Sequence, residues 1–216
     1  MEIIFSIATL VILIFSAILH EIAHGFVAER LGDPTARLMG RLTLNPKSHI
    51  DPFMSILLPL LLVVSGSPVV FGAAKPVPVD PFNLRDGRKD MALVSLAGPA
   101  TNILIAVVFA LLIKVFMIAS AQASLGIWGI IIYWFFLTTV KMNLLLAIFN
   151  LLPIPPLDGS KIFSLILPEK EANTYLSLSS IGFFIIFFLL LFPIGGFSLG
   201  QFIFSLLSFS EKLLGL

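Results

Sequence analysis

Residues 3–24 of this chain, IIFSIATLVILIFSAILHEIAH, join a long apolar run directly to a cluster of ionisable side chains. A membrane-spanning helix takes about 20 predominantly apolar residues, and this run is long enough to provide most of one. It lacks the basic start of a secretory signal peptide, so we expect it to be retained. At about 1.5 Å per residue, His20 lies roughly 26 Å along such a helix, in or near the hydrocarbon.

The HEIAH motif at the end of this helix has the spacing of a metal site. His20 and His24 are four residues apart, which places both on one helical face as ligands of a single ion. Glu21 lies beside them and could accept a proton from the attacking water during peptide hydrolysis. The alternative is a chance match with two hydrogen-bonded histidines. Ionisable groups are expensive at this depth, so the pattern favours a metal.

A catalytic zinc usually takes three protein ligands, so a third ligand is expected from another segment. The chain has no cysteine, which leaves His, Asp and Glu. Asp158 is the candidate, because it follows an apolar segment in NLLPIPPLDGSK (150–161), where prolines break the helix. The competing interpretation is a turn-forming or helix-capping aspartate. His49, in the polar loop NPKSHIDP, is expected to make a structural contact.

Two asparagines in apolar segments are candidates for contacts with substrate. Asn102 and Asn150 carry amides that need partners when buried, and either could bind a substrate backbone or the developing oxyanion. A hydrogen bond between helices is the alternative for each. Gly98, in SLAGPATN (95–102), is explained by close helix packing.

The composition is that of an integral membrane protein. Of the 216 residues, 58% are hydrophobic and 12% are charged, and the mean hydropathy is +1.09. The formal net charge of +1 offers no basic surface for nucleic acid, so the lipid bilayer is the expected environment. Candidate membrane segments are residues 3–29, 53–71, 91–118, 127–150, 175–193 and 198–214.

Charge placement suggests how these segments cross the bilayer. Basic residues follow the first and second segments, which predicts that both loops are cytoplasmic. We therefore expect an all-α polytopic membrane protein, a helix bundle with five crossings plus a re-entrant segment at 53–71, or six crossings. The N-terminus is expected outside and the C-terminus inside. The stretch FGAAKPVPVD (71–80) predicts a short extended β-type segment near the active site.

These motifs resemble the site-2 protease family of intramembrane zinc metalloproteases, in a short form without a PDZ or nucleotide-binding domain. The resemblance covers roughly residues 16–165 and rests on HEIAH, on the G-x-x-x-N of Gly98 to Asn102, and on N-x-x-P-x-P-x-x-D-G from Asn150 to Gly159, in the family's order. It implies one catalytic Zn²⁺ held by His20, His24 and Asp158, with Glu21 as general base.

The resemblance also implies a biological setting. The substrates would be transmembrane proteins, cleaved within or near their membrane segments, and FGAAKPVPV would position them as an added strand. We expect a single membrane-embedded protease domain over residues 1–216, with a catalytic core at about 3–165 and C-terminal helices at about 175–214. A bacterial or archaeal plasma membrane is expected, with the active site towards the cytoplasmic side.

Two other functions fit part of the pattern. In a metal transporter or channel, the histidines and Asp158 would form a transit site, but transport favours ligands repeated along a path. In an inactive scaffold, the chain would keep the metal and bind membrane helices, and Glu21 argues against this. The sequence therefore favours intramembrane proteolysis.

Overall fold

The computed structural model describes residues 2–51, 57, 61, 64, 75–120 and 126–216, and the regular structure within them is helical. This confirms the all-α prediction for those residues. The helices are α1 (Glu2–Leu31), α2 (Thr35–Leu38), α3 (Gly87–Ser120), α4 (Gly126–Asn150), α5 (Asp158–Phe163), α6 (Glu169–Ser177), α7 (Ser179–Leu191) and α8 (Leu199–Leu214). Short 3₁₀ turns lie at Pro46–His49, Pro81–Asn83 and Ser164–Ile166.

Helices α1, α3 and α4 are long and apolar enough to cross a membrane, and α6 and α7 would add a fourth span only if the pair, bent by 65°, formed one. At about 1.5 Å per residue each long helix exceeds the roughly 30 Å of hydrocarbon. The predicted five crossings are not confirmed. The predicted segment 53–71, with its choice between re-entry and crossing, lies outside the described residues apart from Leu57, Leu61 and Val64.

The bundle is organised around α3, which packs against α4 and α1. Where α3 meets α4, two small residues of α3, Ala106 and Ala110, are buried beside Val140 and Leu144 of α4. Alanine allows two backbones to approach closely, which is the main source of helix association in lipid. The first, third and fourth predicted segments therefore form the central three-helix unit.

The two ends of the chain lie at the same end of the bundle, so the predicted arrangement with the N-terminus outside and the C-terminus inside is not confirmed. Near the start of the chain, the Phe5 ring packs 4.5 Å from the ring of Trp134, in the first third of α4. At the other terminus, a Cβ on Gly215 would lie 3.0 Å from Nζ of Lys114, near the end of α3. Since the first residues of α8, Leu199 and Ile203, pack near Leu152 and Leu157, α8 runs parallel to α3.

A polar loop at residues 32–51 follows α1 and binds the chain segment at residues 75–80. The Arg41 guanidinium donates to the carbonyls of Lys75 and Pro76, and the Lys75 N–H donates to the His49 carbonyl over 2.8 Å. Residues 75–80 are not helical, and no β-ladder includes them among the described residues. The predicted β-type segment is therefore not confirmed, and its residues 71–74 lie outside the described part.

Asp33 and His49 hold this loop together from within. The buried carboxylate of Asp33 accepts from the Asp80 N–H at 2.7 Å and from the Asn83 side-chain amide at 3.0 Å. His49 is buried and donates through Nε2 to the Thr43 carbonyl, which is the structural contact expected from the sequence. The loop and the 75–80 segment thus form one hydrogen-bonded layer at the end of α1.

Candidate metal centre

Two histidine rings on one face of α1 begin the site. His20 and His24 are one helical turn apart, and their Nε2 atoms lie 3.0 Å from each other. Both residues are buried, with 5% and 8% of their surface exposed. The helix therefore presents two imidazole nitrogens to a single point inside the bundle.

Asp158 completes a group of three ligand atoms. It is the first residue of α5, and its Oδ2 lies 3.1 Å from Nε2 of His20 and 3.1 Å from Nε2 of His24. The turn before it is tight, because a Cβ on Gly159 would collide with the Leu151 carbonyl. The prolines before Asp158 end α4, and Gly159 allows the chain to fold back against it.

The outer ring nitrogens fix the direction in which each imidazole presents its lone pair. Nδ1 of His20 donates to Oδ1 of Asn102 over 2.6 Å, and Nδ1 of His24 donates to the Val94 carbonyl over 2.7 Å. A neutral imidazole carries one proton, so both Nε2 atoms are free to accept. Partners of this kind orient histidine ligands in metalloproteins.

This arrangement fits a zinc ion. Two imidazole lone pairs and a carboxylate oxygen converge within 4.8 Å of one another, an arrangement that repels itself unless a cation lies among them. Zinc–nitrogen bonds of about 2.0–2.1 Å give an ideal tetrahedron an edge of roughly 3.3 Å, close to the separations here. Two histidines, one carboxylate and an open fourth position are typical of catalytic zinc.

The charge of Asp158 suits the same role. The Lys161 ammonium lies 3.4 Å from Oδ1, the carboxylate oxygen turned away from the histidines. The third ligand is therefore an anion.

Gly98 of α3 makes room for the two rings. A Cβ at this position would lie 2.5 Å from Nε2 of His20 and 2.5 Å from Nε2 of His24. Close helix packing was the role predicted for Gly98, whereas the structure places it directly against the candidate ligands. The motif G-x-x-x-N thus places a glycine against both histidines and an amide against His20.

Glu21 lies beside the ligands, half-buried, and its Oε2 accepts from the Val77 N–H over 2.7 Å. Val77 belongs to the segment held by Arg41, so α1 and the segment at 75–80 meet at this carboxylate. The proposed role of Glu21 as a base stays a prediction.

The two asparagines chosen from the sequence occupy different places. Asn102 is fully buried, and both ends of its amide are engaged within the protein, since Oδ1 accepts from His20 and Nδ2 donates to Asn143. This geometry supports orientation of His20. Asn150 donates to the Leu146 carbonyl one turn earlier in α4, and its contact with substrate stays a prediction.

Sequence reasoning missed Asn143 and Ser16. Asn143 is fully buried and binds both Asn102 and the Ser16 hydroxyl. One signal was available, because a buried amide within an apolar segment is costly and is a candidate for function. Ser16 also lies four residues before His20, on the same helical face.

Known proteins are similar to this chain over most of its length. The chain matches "Peptidase family M50" over residues 8–119 and 113–193. It is 38% identical to "Putative zinc metalloprotease YwhC" of Bacillus subtilis (strain 168), over 87% of this chain and 81% of that protein. It is 33% identical to "Putative zinc metalloprotease Rip2" of Mycolicibacterium smegmatis, over 83% of this chain and 65% of that protein. No solved structure gives a significant match.

The family match spans the helices that carry the histidines, the glycine, the asparagine and the aspartate. The two relatives named as zinc metalloproteases match 87% and 83% of the chain. A donor set suited to catalytic zinc, inside a bundle of membrane-length helices, agrees with both. This membrane protein therefore belongs to peptidase family M50, the site-2 protease family, and is a zinc metalloprotease.

Proposed function

We propose that this protein hydrolyses peptide bonds within or near the transmembrane segments of other membrane proteins, with Glu21 as the general base. One observation carries the proposal: His20 and His24, which meet Asp158, lie on a helix long and apolar enough to span a membrane. Soluble substrates would not reach ligands at that depth, whereas a membrane helix already lies there.

When bound, zinc supplies a Lewis acid that polarises a carbonyl and lowers the pKa of water. The protein's own residues bind the ion and transfer the proton. His20, His24 and Asp158 hold the ion, and Glu21 accepts a proton from the attacking water and delivers it to the leaving amine. The Val77 N–H holds one oxygen of this carboxylate, and we assign the proton transfer to the other oxygen.

The substrate must be extended where it is cut, because a helix shields its peptide bonds with hydrogen bonds. The non-helical segment at 75–80 lies against Glu21 and is bound by the polar loop. We propose that a locally unwound substrate strand lies along this segment.

The orientation follows from charge. The last turn of α1 and the segments beyond it, on the side of the bundle that carries Asp158, include five basic residues: Arg30, Arg37, Arg41, Lys47 and Lys75. Positively charged loops favour the cytoplasmic side. We therefore propose that the active site faces the cytoplasm of a bacterial or archaeal cell.

The test compares wild type with Glu21→Gln in detergent, measuring zinc content and cleavage of a panel of transmembrane peptides. Glu29→Gln is the matched control, because Glu29 lies on the same helix but pairs with Arg37 outside the site. We expect zinc in all three proteins and cleavage by wild type and Glu29→Gln alone. Zinc-loaded wild type that cleaves no member of a broad panel, or Glu21→Gln that cleaves as wild type does, would contradict the proposal.

A further inference from the structure

We propose that Asn143 is a positioning residue for the metal ligand His20, acting through Asn102 to fix which ring nitrogen carries the proton. The inference deepens the proposed function and rests on the same metal centre. It is based on a network of buried hydrogen bonds that links Asn143 of α4 to Asn102 of α3 and to Ser16 and His20 of α1.

This hydrogen-bond network lies in the interior of an apolar bundle. Asn102 and Asn143 are both 0% exposed, and Ser16 is 4% exposed. A buried amide without partners is destabilising in such surroundings, because its hydrogen bonds with water are lost and not replaced. Each amide therefore strongly favours the one orientation in which all its groups are paired.

The Thr139 carbonyl determines which group in this hydrogen-bond network donates and which accepts. A backbone carbonyl can only accept, so Asn143 must turn its Nδ2 towards the Thr139 carbonyl, 2.9 Å away. The same Nδ2 donates to the Ser16 hydroxyl over 2.9 Å. With its donors used on that side, Asn143 presents Oδ1 to Asn102.

Asn102 transmits this direction to the histidine. Its Nδ2 donates to Oδ1 of Asn143 over 2.9 Å and lies 3.4 Å from the Ser16 carbonyl. Its Oδ1 is therefore left to face Nδ1 of His20 at 2.6 Å. Because an amide oxygen only accepts, Nδ1 must carry the proton, and Nε2 keeps the lone pair that faces His24 and Asp158.

Loss of Asn143 would remove the shorter of the two hydrogen bonds that fix the Asn102 amide and leave only the 3.4 Å bond to the Ser16 carbonyl. An Asn102 amide free to rotate could present its N–H groups to His20, and this orientation requires the proton on Nε2. That proton would occupy the position where a metal ion is bound. Second-sphere partners of histidine ligands typically change metal affinity by about 10–100-fold, which sets the expected size of the effect.

The variants are Asn143→Leu, which keeps the approximate size and removes both polar groups, and Thr139→Val as its matched control. Thr139→Val deletes a buried hydroxyl that donates to the Phe135 carbonyl in the same turn of α4, yet it leaves the Thr139 backbone carbonyl in place. A general loss of buried polarity would affect both variants, whereas the proposed chain of hydrogen bonds is broken only by Asn143→Leu.

Zinc affinity, measured by competition with a chelator, needs no substrate. We expect Asn143→Leu to weaken zinc binding by about tenfold or more and Thr139→Val to leave it within about twofold. The double variant Asn102→Leu with Asn143→Leu should bind zinc as Asn102→Leu alone does, because Asn143 acts through Asn102. Equal affinity of Asn143→Leu and Thr139→Val, or additive losses in the double variant, would overturn the proposal.

A spectroscopic measurement tests the proposal without any variant at residue 143. The chain has only three histidines, so the imidazole nitrogens of zinc-free, ¹⁵N-labelled protein can be assigned with one control variant, His49→Gln. We expect His20 to carry its proton on Nδ1. A proton on Nε2 in the wild-type protein would refute the inference, while zinc binding without peptide cleavage would count only against the proposed protease function.

Discussion

At the residue scale, the site combines groups that a sequence can reveal with groups that it cannot. His20, His24 and Asp158 could be chosen from spacing and from the cost of ionisable groups in lipid, and the structure brings these three together. Asn143 could not be assigned, because its importance depends on which amide faces it across the bundle. Distances between helices, unlike spacings along one helix, are absent from a linear pattern.

Gly98 provides a direct test of the space around the ligands. We expect Gly98→Ala to weaken zinc binding at least tenfold, since its Cβ would lie 2.5 Å from both Nε2 atoms. Gly200→Ala in α8 is the control, because its nearest neighbour would be the Ser198 hydroxyl at 3.8 Å. Isothermal titration with zinc would measure both, and unchanged affinity in Gly98→Ala would show that the site tolerates a methyl group there.

Asp158 is expected to be essential for holding the ion. Removal of its carboxylate in Asp158→Ala leaves two neutral imidazoles, so zinc content after dialysis should fall to near the background of metal-free protein. Asp86→Ala supplies the comparison, since Asp86 is an exposed carboxylate that pairs with Lys89. Full retention of zinc by Asp158→Ala would remove Asp158 from the ligand set.

At the scale of elements, the polar loop and the 75–80 segment depend on a few buried charges. We expect Arg41→Leu to lower the free energy of unfolding by about 2 kcal/mol, because it leaves the carbonyls of Lys75 and Pro76 without their charged donor. Arg37→Leu, which removes an exposed pair with Glu29, should have little effect. Urea unfolding in detergent measures both, and equal stabilities of the two variants would contradict this role.

Asp33 should make this layer sensitive to acid. Burial raises the pKa of Asp33, but hydrogen bonds from Thr35, Asn83 and the Asp80 N–H lower it more, so its pKa lies below the ordinary value. The stabilisation is therefore complete above about pH 4 and is lost as the pH falls through the folded-state pKa. Thermal unfolding at a series of pH values should show a smaller loss on the acid side for Asp33→Asn than for wild type.

The matched variant Asp86→Asn should keep the wild-type profile, since Asp86 is exposed. A profile for Asp33→Asn that follows wild type throughout would show that Asp33 does not provide the acid dependence.

At the scale of the whole molecule, hydropathy identified the three long helices but not the path of the C-terminal part. A segment of suitable length and polarity can either cross or turn back, and composition does not distinguish these outcomes. The decisive contacts are local, such as that of Gly182, where a Cβ would collide with the Pro155 carbonyl. Close packing at this point holds α7 near the end of α4.

Labelling can test this arrangement, because the chain has no cysteine of its own. Single cysteines at residues 2 and 215 should react with a membrane-impermeant maleimide from the same side of sealed vesicles. A cysteine at residue 86 should react from the opposite side, since it lies just before α3, whose other end is near Gly215. Reaction of residues 2 and 215 from opposite sides would support the topology predicted from the sequence.

The positions of the three ligands in the sequence affect the stability of the folded protein. His20 and His24 lie near the start of the chain and Asp158 lies well past its middle, so an ion held by all three closes a long loop, much as a disulfide would. An ion at 100 times its dissociation constant stabilises the folded state by about 2.7 kcal/mol. Chelation should therefore lower the melting temperature as well as the activity. Zinc scarcity in the cell would then shorten the lifetime of this enzyme, and its abundance would follow the metal supply.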